Sequence, residues 1–188
     1  MVETQLPPLP RSRRDAILAA AEREFADSGY AGGRIERIAA RARVNKQLLF
    51  HYFDSKDGLF AAAVQSLLAR LEPAVPAAAS PAEELRALIA TLHGAAGALP
   101  GILGLLASAR EGGEALGAAG ASLRGWRERQ LHRLRVILVE GQRRGYFRDD
   151  LDPAAVAEAA LALVLGAGAT GVAWPVAAAI IVDYCAWR

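Results

Sequence analysis

Imidazole and thiol groups are scarce in this 188-residue chain: His51, His93, His132 and Cys185 are all of them. The three histidines lie far apart in sequence, and no metal-ligand spacing, glycine-rich phosphate loop or nucleophile–base arrangement accompanies them. An enzyme, a bound metal and a cofactor are therefore not expected. A single cysteine excludes an intramolecular disulfide and fits a reducing cytoplasm. Cys185 reads as a small buried apolar side chain.

The residues that stand out are basic. Net charge is only +2, so affinity for a polyanion must come from local charge. Between residues 34 and 56 lie Arg34, Arg37, Arg41, Arg43, Lys46 and Lys56, opposed only by Glu36 and Asp54. Lysine is rare: of 22 Lys and Arg residues, only Lys46 and Lys56 are lysines, and both fall in this segment. Each is expected at a helix N-terminus, where a compact ammonium can meet a phosphate or a base; the alternative is two solvated surface lysines. Arg37, Arg41 and Arg43 are either contacts or solvated charges.

The elements that must position these groups read as helices throughout. Ala and Leu dominate, and Gly and Pro fall between periodic stretches. A first helix is predicted over about 11–28, with Ile17, Leu18, Ala21 and Phe25 on one stripe and Gly29 as its C-cap. A second covers 35–42. Arg43 and Val44 turn the chain, and Asn45 caps a short third helix over 46–52. Helix, tight turn and capped helix form a helix-turn-helix over about 34–53, whose second helix fits a major groove about 12 Å wide. Ser55 caps a fourth helix running to Pro73, and the prolines at 73, 76 and 81 make a linker. Further helices are predicted over 81–96, 99–109 and 122–145, with a loop at 112–120 between the last two. Asp152 and Pro153 open an eighth helix, and a ninth spans about 175–186.

The segment from Arg14 to Phe60 resembles the TetR/AcrR family of bacterial regulators. The likeness rests on Arg14 to Ala21, Phe25, Gly29 and Tyr30, Ile38 and Ala39, Ala42, Val44 and Leu49. It continues through His51-Tyr52-Phe53, Ser55-Lys56-Asp57 and Leu59-Phe60, without a gap. Beyond it, only Arg144-Gly145 and Asp150 to Pro153 match. The resemblance implies that Lys46 and Gln47 open the recognition helix and face bases or phosphates. It puts Leu48 within reach of a thymine methyl, and His51 and Tyr52 at the DNA backbone. It makes Lys56 the phosphate-binding lysine and Arg34 the residue in place of the usual phosphate-touching Ser or Thr. Phe50 replaces the common Tyr, and Gly33 replaces a frequent Thr, which weakens capping of the second helix. Leu49, Phe53 and Tyr30 are expected in the core; Tyr52 is either core or a phosphate contact. Arg11, Arg13 and Arg14 form either a DNA-reaching arm or a loose basic terminus.

The family likeness also implies that the C-terminal helices hold a small-molecule effector and form a homodimer, mainly through residues 153–170 and 175–186. His93 and Trp126 are candidate effector contacts; the alternative for each, and the more usual reading of such a residue, is a core side chain. The uncharged run 159–182 is long enough to raise a membrane span. Its Ala and Gly content, its Gly171–Pro175 break and its unflanked ends favour two helices buried in protein instead, with no membrane association.

The expected fold is all-α, about nine helices: a flexible leader at 1–10, a three-helix DNA-binding domain at 11–55, and a helical sensing and dimerisation domain at 56–188. The expected function is a cytoplasmic, sequence-specific DNA-binding repressor, homodimeric on double-stranded operator DNA and released by a small molecule. The rival is a helix-turn-helix protein that docks on another protein without DNA.

Overall fold

A computed structural model describes residues 12–72, 78–98, 117–170 and 174–186. Among these residues the chain forms eight helices: α1 (Arg13–Gly32), α2 (Ile35–Ala42), α3 (Lys46–Phe53), α4 (Lys56–Arg70), α5 (Pro81–Ala98), α6 (Gly117–Arg143), α7 (Pro153–Thr170) and α8 (Trp174–Cys185). The expected all-α architecture is the observed one. The helix expected over 99–109 and the leader lie outside the described residues.

Local chemistry starts most helices where the sequence places the caps. The Ser12 hydroxyl accepts the Asp15 N–H at 3.1 Å, the Asn45 side chain accepts Leu48 N–H at 2.8 Å, and Ser55 accepts Gly58 N–H at 3.0 Å. Asp152 accepts from Ala154 and Ala155 at the start of α7, with Pro153 as its first residue. Each bond satisfies one of the donors a helix N-terminus leaves unpaired.

Two expectations are corrected by packing. Gly29 does not close α1. It takes φ +64° at a kink, and the chain makes a further turn to Gly32. The bend sets the Tyr30 ring against Phe60 at 5.0 Å. Residues 117–120, expected in a loop, form the first turn of α6 because Ala119 and Gly120 are buried. That burial outweighs glycine's poor helix propensity.

The helices share one continuous apolar core. In the N-terminal part, α1 packs on α2, α3 and α4 through Ile17, Phe25, Ile38, Leu49, Phe53 and Phe60. In the C-terminal part, α5 packs on α6, α7 and α8, and α7 packs on α6 and α8. Helix α4 serves both parts. It contacts α3 near its start, lies against α1 from Phe60 to Arg70, whose guanidinium pairs with Glu22, and lies along α6, where Gln65 bonds Ser122 at 3.3 Å and Glu72 lies 3.5 Å from Arg129 and from Gln130. The pairs with α6 keep nearly the same sequence offset, so α4 and α6 run parallel. Phe147 fills the space left by Gly141, where a Cβ would lie 2.0 Å from its ring. Cys185 is fully buried, as its apolar reading requires, and burial pushes its thiol pKa up. No described helix is long and apolar enough to cross a membrane.

The start of α2 has a different solution. Its N-cap, Arg34, makes no side-chain capping bond. Instead the carboxylate of Glu24, 2% exposed, reaches from α1 to accept the Arg34 N–H at 3.1 Å and to pair with the Arg37 guanidinium at 2.6 Å. Arg37 also donates to Ser28 Oγ and Gly32 O, both at 3.3 Å. The family's Thr at position 33 would not cap this helix, because the N-cap is Arg34 and Gly33 stands one residue before it; nor is there room for a side chain there. A Cβ on Gly33 would sit 2.6 Å from the Phe25 ring, which is itself locked edge-on against Phe60.

Gly33→Thr is therefore expected to destabilise the protein by about 1–3 kcal/mol, the usual cost of overpacking. Thermal unfolding measures it; an unchanged or raised melting temperature would show that the Phe25 ring gives way without cost.

Candidate nucleic-acid interface

The turn between α2 and α3 is tight because Arg43 takes the left-handed conformation, φ 56° and ψ 44°. Its N–H bonds the Ala39 and Ala40 carbonyls, and Val44 N–H bonds Ala39 O at 3.0 Å. A non-glycine residue there costs about 1–2 kcal/mol, which the surrounding packing must hold. At the other end of α3, Asp54 (φ 58°) turns the chain into α4, and Gly58 is obligatory. A Cβ there would lie 2.3 Å from the Phe53 carbonyl oxygen.

These constraints fix the rotation of α3. Leu49 and Phe53 point into the core at 0% and 5% exposure. At about 100° per residue, Gln47 and His51 then lie farthest from the core, with Lys46 and Phe50 on one flank and Leu48 and Tyr52 on the other. Lys46, Gln47, Phe50, His51 and Tyr52 are exposed; Leu48 is half-buried. Of the two readings left open for Tyr52, the core one fails: the residue is 39% exposed, its ring 5.6 Å from His51. Tyr30, expected in the core, is only partly buried and packs at its edge.

The cations divide into free and committed groups. Arg34, Arg41 and Arg43 are exposed. Arg37 is not a free cation, being held by Glu24. Lys46 bonds Glu36 of α2, and that bond holds the Glu36 carboxyl below its ordinary pKa. Lys56 sits at the first position of α4 with its ammonium 4.7 Å from the centre of the Tyr30 ring. The Tyr30 hydroxyl donates to Asp57, which raises the phenol pKa. Arg13 and Arg14, expected in an arm or a loose terminus, instead open α1, because Ser12 caps the helix there, and Arg14 stacks over Phe53 at 5.1 Å. Arg11 lies outside the described residues.

The two candidate effector contacts differ. His93 on α5 is half-buried. Trp126 on α6 is fully buried, and its indole N–H has no hydrogen-bond partner among the described residues. One turn later Gln130, also fully buried, has an unpartnered side-chain carbonyl, while its amide N–H2 lies 3.5 Å from Glu72. Among the described residues, no cluster of acidic, His or Cys side chains could hold a metal. On the far side of the molecule, α7 and α8 frame an apolar groove of about 330 Å³ lined by Val156, Ala159, Leu163, Ile180, Ile181 and Tyr184 among others.

Sequence reasoning missed Glu24, Glu36 and Gln130. Glu24 carried a legible signal: it falls on the apolar stripe of α1, seven residues after Ile17, where a carboxylate must find a buried partner. Gln130 carried the same kind of signal, falling between Trp126 and Leu134 on the apolar stripe of α6; Glu36 was legible as an acid within the basic segment, but its pairing with Lys46 was not.

Comparison with known proteins agrees with this geometry. The family model described as "Bacterial regulatory proteins, tetR family" matches residues 17–63. The chain is 32% identical over 142 residues to the HTH-type transcriptional repressor NicS of Pseudomonas putida, covering 73% of this chain and 67% of that one. It is 45% identical over 67 residues to the HTH-type transcriptional repressor SCO4008 of Streptomyces coelicolor, about a third of either chain. A crystal structure of a TetR-like transcriptional regulator from Rhodococcus sp. RHA1 superposes with a TM-score of 0.74 at 26% identity, covering 94% of this chain and 96% of that one. With a helix-turn-helix of this geometry and a relative matched over most of its length, the chain belongs to the TetR family of bacterial regulatory proteins: it is a DNA-binding transcriptional regulator and not an enzyme.

Proposed function

We propose that the protein is a cytoplasmic repressor that binds a palindromic operator as a homodimer and is released by a small molecule. The observation that carries the DNA half is the exposed face of α3, with Lys46, Gln47 and His51 on a helix whose inner face cannot rotate. In this reading Lys46, Gln47 and Leu48 meet base edges, while Arg34, His51, Tyr52 and Lys56 meet phosphates. Two copies would hold their α3 helices about 34 Å apart, one turn of DNA.

The dimer reading is supported by the α7–α8 groove and its rim. Leu163, Val176, Ile180 and Tyr184 are 37–59% exposed on adjacent helices. An apolar patch on that scale favours a partner surface, and a second copy across a two-fold axis would complete a four-helix arrangement.

The effector reading is supported by Trp126 and Gln130. A buried polar atom left unpaired costs about 1–3 kcal/mol, and a ligand that supplies the partner recovers it. Gln130 also lies against Glu72, just past the end of α4, whose other end carries Lys56 beside the helix-turn-helix. A ligand bound there would bias α4, and the change in DNA affinity is limited to its differential affinity for the two states.

Selection of bound sequences from random duplex DNA tests the core of this reading. One palindromic site is expected to enrich, and a Lys46→Ala/Gln47→Ala variant is expected to lose it. No enrichment at low salt from a folded dimer would sink it. Ile180→Glu is expected to convert the dimer to monomer in analytical ultracentrifugation and to lower operator affinity at least about tenfold, because the half-sites no longer bind as one unit. An intact dimer would move the interface elsewhere. Trp126→Phe is expected to leave operator binding intact but to weaken release by an effector, found by screening metabolites for operator release, about tenfold, the loss of one buried hydrogen bond. Compounds that bind yet leave operator affinity unchanged would end the switch idea.

A further inference from the structure

The ion pair between Lys46 and Glu36 sits in an unexpected place. Lys46 is the first residue of α3, and Glu36 is in the first turn of α2. The pair links the two helices of the motif across their outer surface, with the side chains 53% and 62% exposed. Exposed pairs of this kind add little to stability, because solvent screens them and ordering two long side chains has an entropic cost. Its consequence lies in what the surface offers to DNA.

From residue 34 to residue 56 the acids are Glu36 and Asp54, and Glu36 stands beside the residue that opens the recognition helix. In the free protein its carboxylate neutralises the Lys46 ammonium. A phosphate that bonds Lys46 either breaks this pair and leaves Glu36 uncompensated, or shares the ammonium and sets a second anion beside the carboxylate. Non-specific binding consists almost wholly of phosphate neutralisation, so it bears that penalty in full. A base-edge acceptor is uncharged and adds no second anion. An ammonium has three donor hydrogens, so Lys46 can keep its bond to Glu36 and still donate to a base.

We propose that Glu36 is a specificity-determining residue: it holds the Lys46 ammonium off the phosphate backbone and presents it to a major-groove acceptor such as guanine O6 or N7. The proposal rests on the DNA-facing role of α3 given above. It assigns to Glu36 an effect opposite in sign to that of the surrounding arginines, weakening binding to DNA at large while leaving operator binding nearly unchanged.

The test uses the full-length protein, its Glu36→Gln and Lys46→Gln variants and the double variant. Each is titrated with a random-sequence duplex and with the selected operator over a range of salt. Because both positions are exposed, unchanged thermal unfolding serves as the folding control. Glu36→Gln is expected to tighten random-duplex binding at least about fivefold near 0.1 M salt and to steepen the salt dependence by about 0.9 per protomer, the signature of one added phosphate contact. Operator affinity should change much less, so the ratio of operator to random affinity falls. In the Lys46→Gln background the gain should vanish. An equal gain in both backgrounds would mean that Glu36 merely repels DNA and would overturn the proposal, as would unchanged random-duplex affinity in Glu36→Gln. A wild-type protein that binds no duplex at low salt would remove the DNA-facing role of α3, and this inference with it.

Discussion

The position of the DNA-reading surface depends on one buried carboxylate. Glu24 leaves the core face of α1 to accept the Arg34 N–H and to hold the Arg37 guanidinium, which in turn ties Ser28 and Gly32. It does the work of an N-cap from another helix and fixes the junction of α1 and α2. The constraint propagates. With Gly33 pressed on Phe25, and Phe25 on Phe60, the start of α2 cannot move without displacing the core that seats α3 and α4. A buried carboxylate that lost its partners would be costly, so the network holds as a unit.

From that anchor, α4 carries position in the other direction. Its first turn is held by Ser55, by Gly58 against Phe53, and by Lys56 over Tyr30. Its last turns run alongside α6, and Glu72 beyond them faces Arg129 and Gln130. A stiff helix packed at both ends is a suitable lever. A change at the α6 end must be absorbed by the contacts of α4 with α1, α3 or α6, which include the Arg70–Glu22 pair at its end. The Trp126 indole N–H and the Gln130 side-chain carbonyl, buried with no partner among the described residues, lie on α6 near that far end.

Charge is distributed by the same logic. Arg37, Arg14 and Lys46 are each tied to a carboxylate or a ring, while Arg34, Arg41 and Arg43 remain exposed. A count of basic residues therefore overstates what the surface offers a phosphate. The pairs within the motif limit its charge and direct it.

What the sequence determined by itself is local. Asn45, Ser55 and Asp152 cap their helices because each bond spans two or three residues and needs no tertiary partner. The periodicity of Leu49 and Phe53 decided which face of α3 turns inward, and thereby which residues remain outside. The tertiary structure decided what depends on how helices cross. The partners of Glu24 lie 10 and 13 residues away on a different helix, and Glu36 finds Lys46 across the turn. The start of α6 at Gly117 follows from the burial of Ala119, not from glycine's own preference. That the Trp126 indole N–H and the Gln130 side-chain carbonyl are buried with no partner among the described residues arises from how α6 packs against its neighbours. A local bond is written in the spacing of two residues; a long-range contact is settled only when separate helices compete for the same space, and no spacing in a single helix records that outcome.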